Sequence, residues 1–157
     1  MVRIAQLKDV EAIKLIAMLS WKQAYQELVP QEIQDKFLEE NYNSEAIASR
    51  IESSKMIVVT EEGLDVGFAE YGIEGDKIHV YAIYVLPSHQ RMGFGRKMID
   101  FIESQENNAS IVMDLENGNY MGELFCEKLG FERMSAKADN LYGHPLKKIL
   151  LERGKKV

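Results

Sequence analysis

Residues 78 to 105 change their period in mid-course, and this constrains the chain more than any other feature. Ile78 to Leu86 is a long run rich in apolar, β-branched and aromatic residues, the composition of a strand. Pro87 interrupts it. From there Phe94, Met98, Phe101, Ile102 and Gln105 fall at the spacing of one helix face. The turn between the two periods reads Gln90-Arg91-Met92-Gly93-Phe94-Gly95-Arg96-Lys97. A short apolar run, Ile111 to Leu115, follows after Asn107-Asn108. Strand, helix and strand in that order imply one parallel crossover.

The flanking segments fix the rest of the fold class. Val2 to Leu7 alternates as a short strand, and Asp9 is placed to cap the helix that continues to about Tyr25. Pro30 suits the first turn of a second helix, with Ile33, Phe37 and Leu38 on one face, and Ser44 opens a third. Met56–Thr60, Val66–Ile73 and Ile78–Leu86 are strands separated by the turns Glu62-Gly63 and Gly75-Asp76, a meander that implies antiparallel pairing. Asn119 begins a last helix with Gly130 just past its end, and Pro145 to Leu151 carries a strand-like tail. The expected fold is α/β or α+β: a mixed, mostly antiparallel sheet flanked by helices.

The 157 residues favour one domain over 1–157, and 46% apolar residues suffice for a core. Cys126 is the single cysteine, so no intramolecular disulfide forms, and three scattered histidines argue against a zinc cluster. A net charge of −6 argues against nucleic acid as a partner and suits a cationic substrate. No signal-like or membrane-spanning apolar run is present, which reads as a soluble, cytoplasmic protein. The basic end, Lys147-Lys148 and Arg153 to Lys156, reads as a solvated tail.

The glycine turn is built to hold a phosphate. Successive main-chain N–H groups at a helix start point one way, and the helix dipole favours an anion there. Glycines let a bulky pyrophosphate approach the backbone. Arg91, Arg96 and Lys97 oppose the dipole unless an anion is present. A P-loop requires a hydroxyl where Met98 stands, and a dinucleotide turn requires a small residue at the same place, so both patterns fail.

The pattern Q-x-x-G-x-G after Ile83-Tyr84-Val85-Leu86-Pro87 resembles the acyl-CoA-binding motif of the GNAT (GCN5-related N-acetyltransferase) superfamily. Asn119-Tyr120-Met121-Gly122-Glu123-Leu124-Phe125-Cys126-Glu127-Lys128-Leu129-Gly130-Phe131 resembles the second motif of that family, in the right order and at the right distance. The resemblance implies a GNAT-like sheet splayed between strands 4 and 5, with acetyl-CoA as co-substrate, no metal, and an amine acceptor, small-molecule or peptide. It implies direct transfer in a ternary complex. A homodimer is common among look-alikes.

The resemblance also implies site residues. Tyr84 and Val85 would meet the CoA arm through their backbone, as would the turn residues Gln90, Arg91, Met92, Gly93, Phe94, Gly95 and Arg96. Asn119 would contact the arm, serve as a helix N-cap, or both. Segment 21–33 looks like the substrate-side helices, which makes Trp21 and Tyr25 acceptor-site candidates. Cys126 stands where the family often has a tyrosine that protonates the departing thiolate; it is either a substitute acid or an inert buried residue. Tyr120 and Tyr142 are substitute acids. The family's glutamate base falls here on His79; Glu70 and Tyr71, its neighbours by hairpin pairing, are candidates to line the acceptor site, Glu70 as a catalytic and Tyr71 as a substrate-binding residue. The alternatives to acetyl transfer onto a small amine are a silent acyl-CoA-binding module and acetylation of a protein N-terminus or lysine.

Overall fold

A computed structural model describes residues 1–154. Seven strands form one sheet in the order β1-β2-β3-β4-β5-β7-β6, where β1 is Val2–Ile4, β2 Lys55–Glu61, β3 Leu64–Glu74, β4 Lys77–Val85, β5 Ser110–Glu116, β6 Glu132–Leu141 and β7 His144–Arg153. Every neighbouring pair is antiparallel except β4 and β5. Helices α1 (Val10–Tyr25), α2 (Gln31–Asn41) and α3 (Ser44–Ser53) cover one face; α4 (Phe94–Gln105) and α5 (Tyr120–Lys128) cover the other. The expected mixed sheet is therefore present.

Each face has its own core. Met98, Ile99 and Ile102 of α4 pack with Ile57, Ile78, Ile111 and Ile149 of the sheet. Gly67 makes this approach feasible, because a Cβ there would lie 2.9 Å from the Val59 side chain and 3.2 Å from Met98. On the other face Ile13, Ile16 and Ala17 of α1 pack with Val58 and Phe68. Burying a side chain of this size is worth about 1.5–3 kcal/mol, so the isoleucine stripes fix how both helix layers sit.

Three local expectations need correction. The first strand stops at Ile4, because the chain turns into a single 3-10 turn over Leu7–Asp9. Asp9 precedes α1 but does not cap it. Its carboxylate accepts instead from Arg3 Nη1 and Nη2, both at 2.8 Å, and from the Gln6 amide at 2.7 Å. Burial favours the neutral acid, but these bonds outweigh it and hold Asp9 well below the usual carboxylate range. The third concerns the C-terminal end, where one or two strands are expected: there are two, and the sequence pattern does not place β6. Most of its residues are exposed, so neither face imposes a period. In the basic tail, Arg153 is paired with Glu103 at 2.7 Å and Lys148 lies 4.0 Å from Asp139; Lys155 and Lys156 lie outside the described residues.

Candidate active site

The parallel strands β4 and β5 pair only over Lys77–Val80 and Ser110–Met113. Both run on, β4 to Val85 and β5 to Glu116, without pairing further with each other. The parting coincides with a bulge. Glu70 opposes Ala82 and Tyr71 opposes Val80, which leaves Tyr81 with no partner on β3. A bulge bends its strand and re-aims side chains. The result is a cleft of about 370 Å³ between the two strand ends.

One end of the cleft is the glycine turn. Gly93 is the N-cap of α4 in the left-handed region, φ 86°, and Arg91 shares that region at φ 64°. No side chain caps the first turn of α4, so its amides face the cleft mouth uncovered by protein side chains. A Cβ at Gly93 would meet nothing within 4 Å, which leaves its backbone open to a ligand. Gly95 differs: a Cβ there would lie 2.6 Å from the Phe125 ring, so this glycine admits a packing contact between α4 and α5. Arg91, Gly93, Phe94, Gly95 and Arg96 line the cleft, and Met92 does not. Gln90 anchors the turn, donating to Val85 O at 3.1 Å and to Gln23 Oε1 at 2.7 Å.

The walls are β4 and the start of α5. Leu86 N donates to Val66 O, toward β3. By strand alternation the N–H and C=O of Val85 and Ile83 point the other way, into the gap. Asn119 caps α5 by accepting from the Gly122 amide at 3.1 Å, and it lines the cleft as well. Its amide also meets the hydroxyl of Tyr25, another lining residue. Burial, with help from Tyr84 and Glu116, keeps the Tyr25 phenol protonated by raising it above its ordinary value. Burial pushes the Tyr84 phenol up to about 12 even though its oxygen accepts from Trp21 Nε1 at 3.0 Å.

Cys126 lines the cleft and is fully buried, with Sγ 3.9 Å from Met113 Sδ. Burial, followed by Glu123, pushes its thiol up to about 12. The thiol is thus neutral and a weak acid. Tyr120 is 80% exposed and outside the lining, and Tyr142, also outside it, donates to Glu40 Oε1 at 3.1 Å.

The other expected residues are not gathered into the cleft. Trp21 is buried, stacked on Phe37 with centroids 4.2 Å apart, and Tyr71 belongs to the α4-side core. Glu70 is held by Arg50 Nε at 3.2 Å and by Ser54 Oγ at 2.8 Å. His79 lies outside the lining, with both ring nitrogens near carboxylates: Nδ1 3.0 Å from Glu74 and Nε2 3.2 Å from Asp114. Asp114 is the carboxylate that does line the cleft. It sits within the apolar run Ile111-Val112-Met113-Asp114-Leu115, and a lone acid in a buried strand was the signal available for it. Glu116, two residues on, has a carboxyl raised to about 8 by burial and by sharing a hydrogen bond with Asp139.

A parallel pair that parts at a bulge, a glycine-capped helix at its mouth and an N-capped α5 form one arrangement, and sequence comparison agrees with it. The chain belongs to the GNAT acetyltransferases: the family's acetyltransferase (GNAT) domain model matches residues 52–133. An uncharacterized N-acetyltransferase of Bacillus subtilis (strain 168), YuaI, is 30% identical over 107 residues, which cover 62% of this chain and 59% of that protein. The chain therefore spans less than two thirds of that relative's length. Among solved structures, the PaiA N-acetyltransferase of Thermoplasma acidophilum in complex with coenzyme A has a TM-score of 0.81 at 20% identity, covering 99% of this chain and 98% of that one. The ribosomal-protein-S18-alanine N-acetyltransferase of Escherichia coli has a TM-score of 0.73 at 16% identity, covering 100% of this chain and 94% of that one. Both share the fold. Among the described residues no helix is long and apolar enough to cross a membrane, and no group of three or more metal-ligating side chains is assembled.

Proposed function

We propose that the chain is one cytoplasmic acetyltransferase domain that moves an acetyl group from acetyl-CoA directly to a primary amine in a ternary complex. The observation that carries this reading is the cleft itself: it runs from uncapped helix amides at Gly93 to a single lining carboxylate, Asp114. The pyrophosphate is held at the first turn of α4, with Arg91 and Arg96 adding charge-assisted bonds. The pantetheine arm lies along the unpaired edge of β4, against Ile83 and Val85, with Asn119 opposite.

A primary amine is an ammonium at neutral pH and has no lone pair until a base takes its proton. Asp114, on the cleft wall, takes that role in place of His79 and Glu70, which do not line the cleft. The amine nitrogen then bonds to the thioester carbon while the carbonyl electrons move to oxygen. An N–H of the β4 edge, such as that of Val85, meets the resulting oxyanion. When the C–S bond breaks, sulfur leaves with the electron pair, and the adduct nitrogen gives its second proton to solvent, which leaves a neutral amide. A thiol's ordinary pKa is about 8.5, so a thiolate is a competent leaving group near neutrality. Cys126 and Tyr84 are both weaker acids than the thiol that is released. Solvent therefore supplies the thiolate's proton, and Cys126 is a packing residue.

The test is thiol release from acetyl-CoA with a panel of amines that includes an N-terminal peptide and a lysine peptide. Turnover on one class names the acceptor. Absence of CoA binding in calorimetry sinks the reading, and binding without turnover on any amine leaves the silent acyl-CoA-binding module.

A further inference from the structure

Three strands contribute to a polar chain beside the cleft. Glu74 at the end of β3, His79 of β4 and Asp114 of β5 lie in line, joined at 3.0 Å and 3.2 Å through the two ring nitrogens of His79. His79, in the middle, is the least exposed of the three side chains, 15% against 56% for Glu74 and 29% for Asp114, which also lines the cleft. Tyr81, the bulged residue, completes the assembly. Its ring stacks on His79 at 4.6 Å, and its hydroxyl donates to the second oxygen of Glu74 at 2.8 Å. Gly72 makes room for that ring, since a Cβ there would lie 3.0 Å from it. The irregularity that opens the cleft therefore also sets Tyr81 onto the histidine.

Carboxylates accept hydrogen bonds and do not donate them. Both bonds of His79 are made together only by the imidazolium, which donates from each nitrogen. We propose that His79 is a positioning residue for acetyl transfer: clamped by Glu74 and Tyr81, its imidazolium holds the Asp114 carboxylate ionised and aimed at the cleft. This rests on the reading of Asp114 as the base. A base must be ionised before it takes the amine's proton, and an opposite charge at hydrogen-bond distance favours that form. Glu74, bonded to His79 and then to Tyr81, is held below its usual range.

The charged surroundings are consistent with this. Glu74 faces His79 from β3, Tyr81 from β4 and Asp114 from β5. One position back on the same strand face, Lys77 is paired with Glu152 of β7 at 2.9 Å. Beyond Tyr81, Glu70 is paired with Arg50 of α3. The two outer pairs are internally neutralised; Glu116, two residues beyond Asp114 on β5 and raised to about 8 by burial and by Asp139, bears on Asp114, and Glu74 and Asp114 are the carboxylates bonded to the ring.

The test uses the whole chain in two measurements. In the first, NMR follows titration of the His79 ring in wild type, Glu74→Gln and Asp114→Asn. Each variant is expected to lower the titration midpoint by about one unit or more, since each removes an opposite charge. In the second, the pH profile of kcat/KM is compared for wild type, His79→Gln and His79→Arg. Losing the charge in His79→Gln raises the acid limb by about one unit or more, and the fixed charge of His79→Arg restores it. CoA affinity stays within about twofold throughout, because His79 does not line the cleft. A His79→Gln limb that coincides with wild type overturns the proposal, as does a ring titration that neither carboxylate variant moves. A wild-type protein that turns over no amine overturns the acetyl-transfer reading instead, and the ring titration then decides the bridge alone.

Discussion

Gly95 gives the sharpest test of how the cleft is built, because sequence and structure assign it different reasons. The motif makes it a place where phosphate approaches the backbone; the structure puts the Phe125 ring where its Cβ would be, at 2.6 Å and 2.9 Å from two ring carbons. Gly95 lies inside α4, so Gly95→Ala by itself gains up to about 1 kcal/mol in helix propensity. Forcing a methyl against a packed ring costs about 1–3 kcal/mol. The net expectation is a loss of about 1 kcal/mol, or a Tm lower by roughly 2–4 °C for a chain of this size. In a Phe125→Leu background the clash is relieved and the same substitution becomes neutral or stabilising. The double-mutant cycle should therefore give a coupling of about 1 kcal/mol or more. Urea unfolding of the four proteins measures it. Additive effects, or a stabilised Gly95→Ala single variant, refute the packing argument and return Gly95 to the phosphate.

Other outcomes follow from the same geometry. Asp114→Asn lowers kcat by roughly 10²-fold or more while CoA affinity in calorimetry is unchanged, because the variant keeps the shape and loses the base. Cys126→Ser keeps kcat within a few-fold, and mass spectra of the wild type mixed with acetyl-CoA show no acetylated protein, as expected for a thiol pushed up to about 12. Glu116 has its folded-state value raised to about 8 by burial and by Asp139. Its protonated form is the one the fold favours, so its contribution is complete below the ordinary carboxylate range and declines as pH rises toward 8. Glu116→Gln mimics that form and should gain stability over wild type from pH 5 to 8.5 in urea midpoints.

The donor half of the proposed site was legible as local structure, because that structure is written in backbone needs. Gly93 must take a positive φ, Pro87 must end a strand, and Asn119 must cap a helix, and each need leaves a residue type at a fixed place. The acceptor half is written in geometry that no spacing encodes. Tyr81 is an ordinary strand tyrosine until the register slips by one residue beside it. Counting back from the glycine turn reaches His79, and the structure shows its bonded partner on β5, Asp114, on the cleft wall. Trp21, read from the sequence as an acceptor-site candidate, is buried, and its indole donates to the Tyr84 hydroxyl. β6, one of the one or two strands expected after the last helix, could not be placed because a strand exposed over most of its length has no period to read.

The central claim is that this cleft carries an acetyl group from CoA to an amine without a stop on the protein. The most direct measurement is a single turnover, with the protein in excess over isotope-labelled acetyl-CoA and an accepted amine, quenched in time and followed by mass. The account predicts that the label passes to the amine nitrogen as free CoA appears, with none on the protein at any time. Label on Cys126, or bound acetyl-CoA that never yields an acetylated amine, would contradict it.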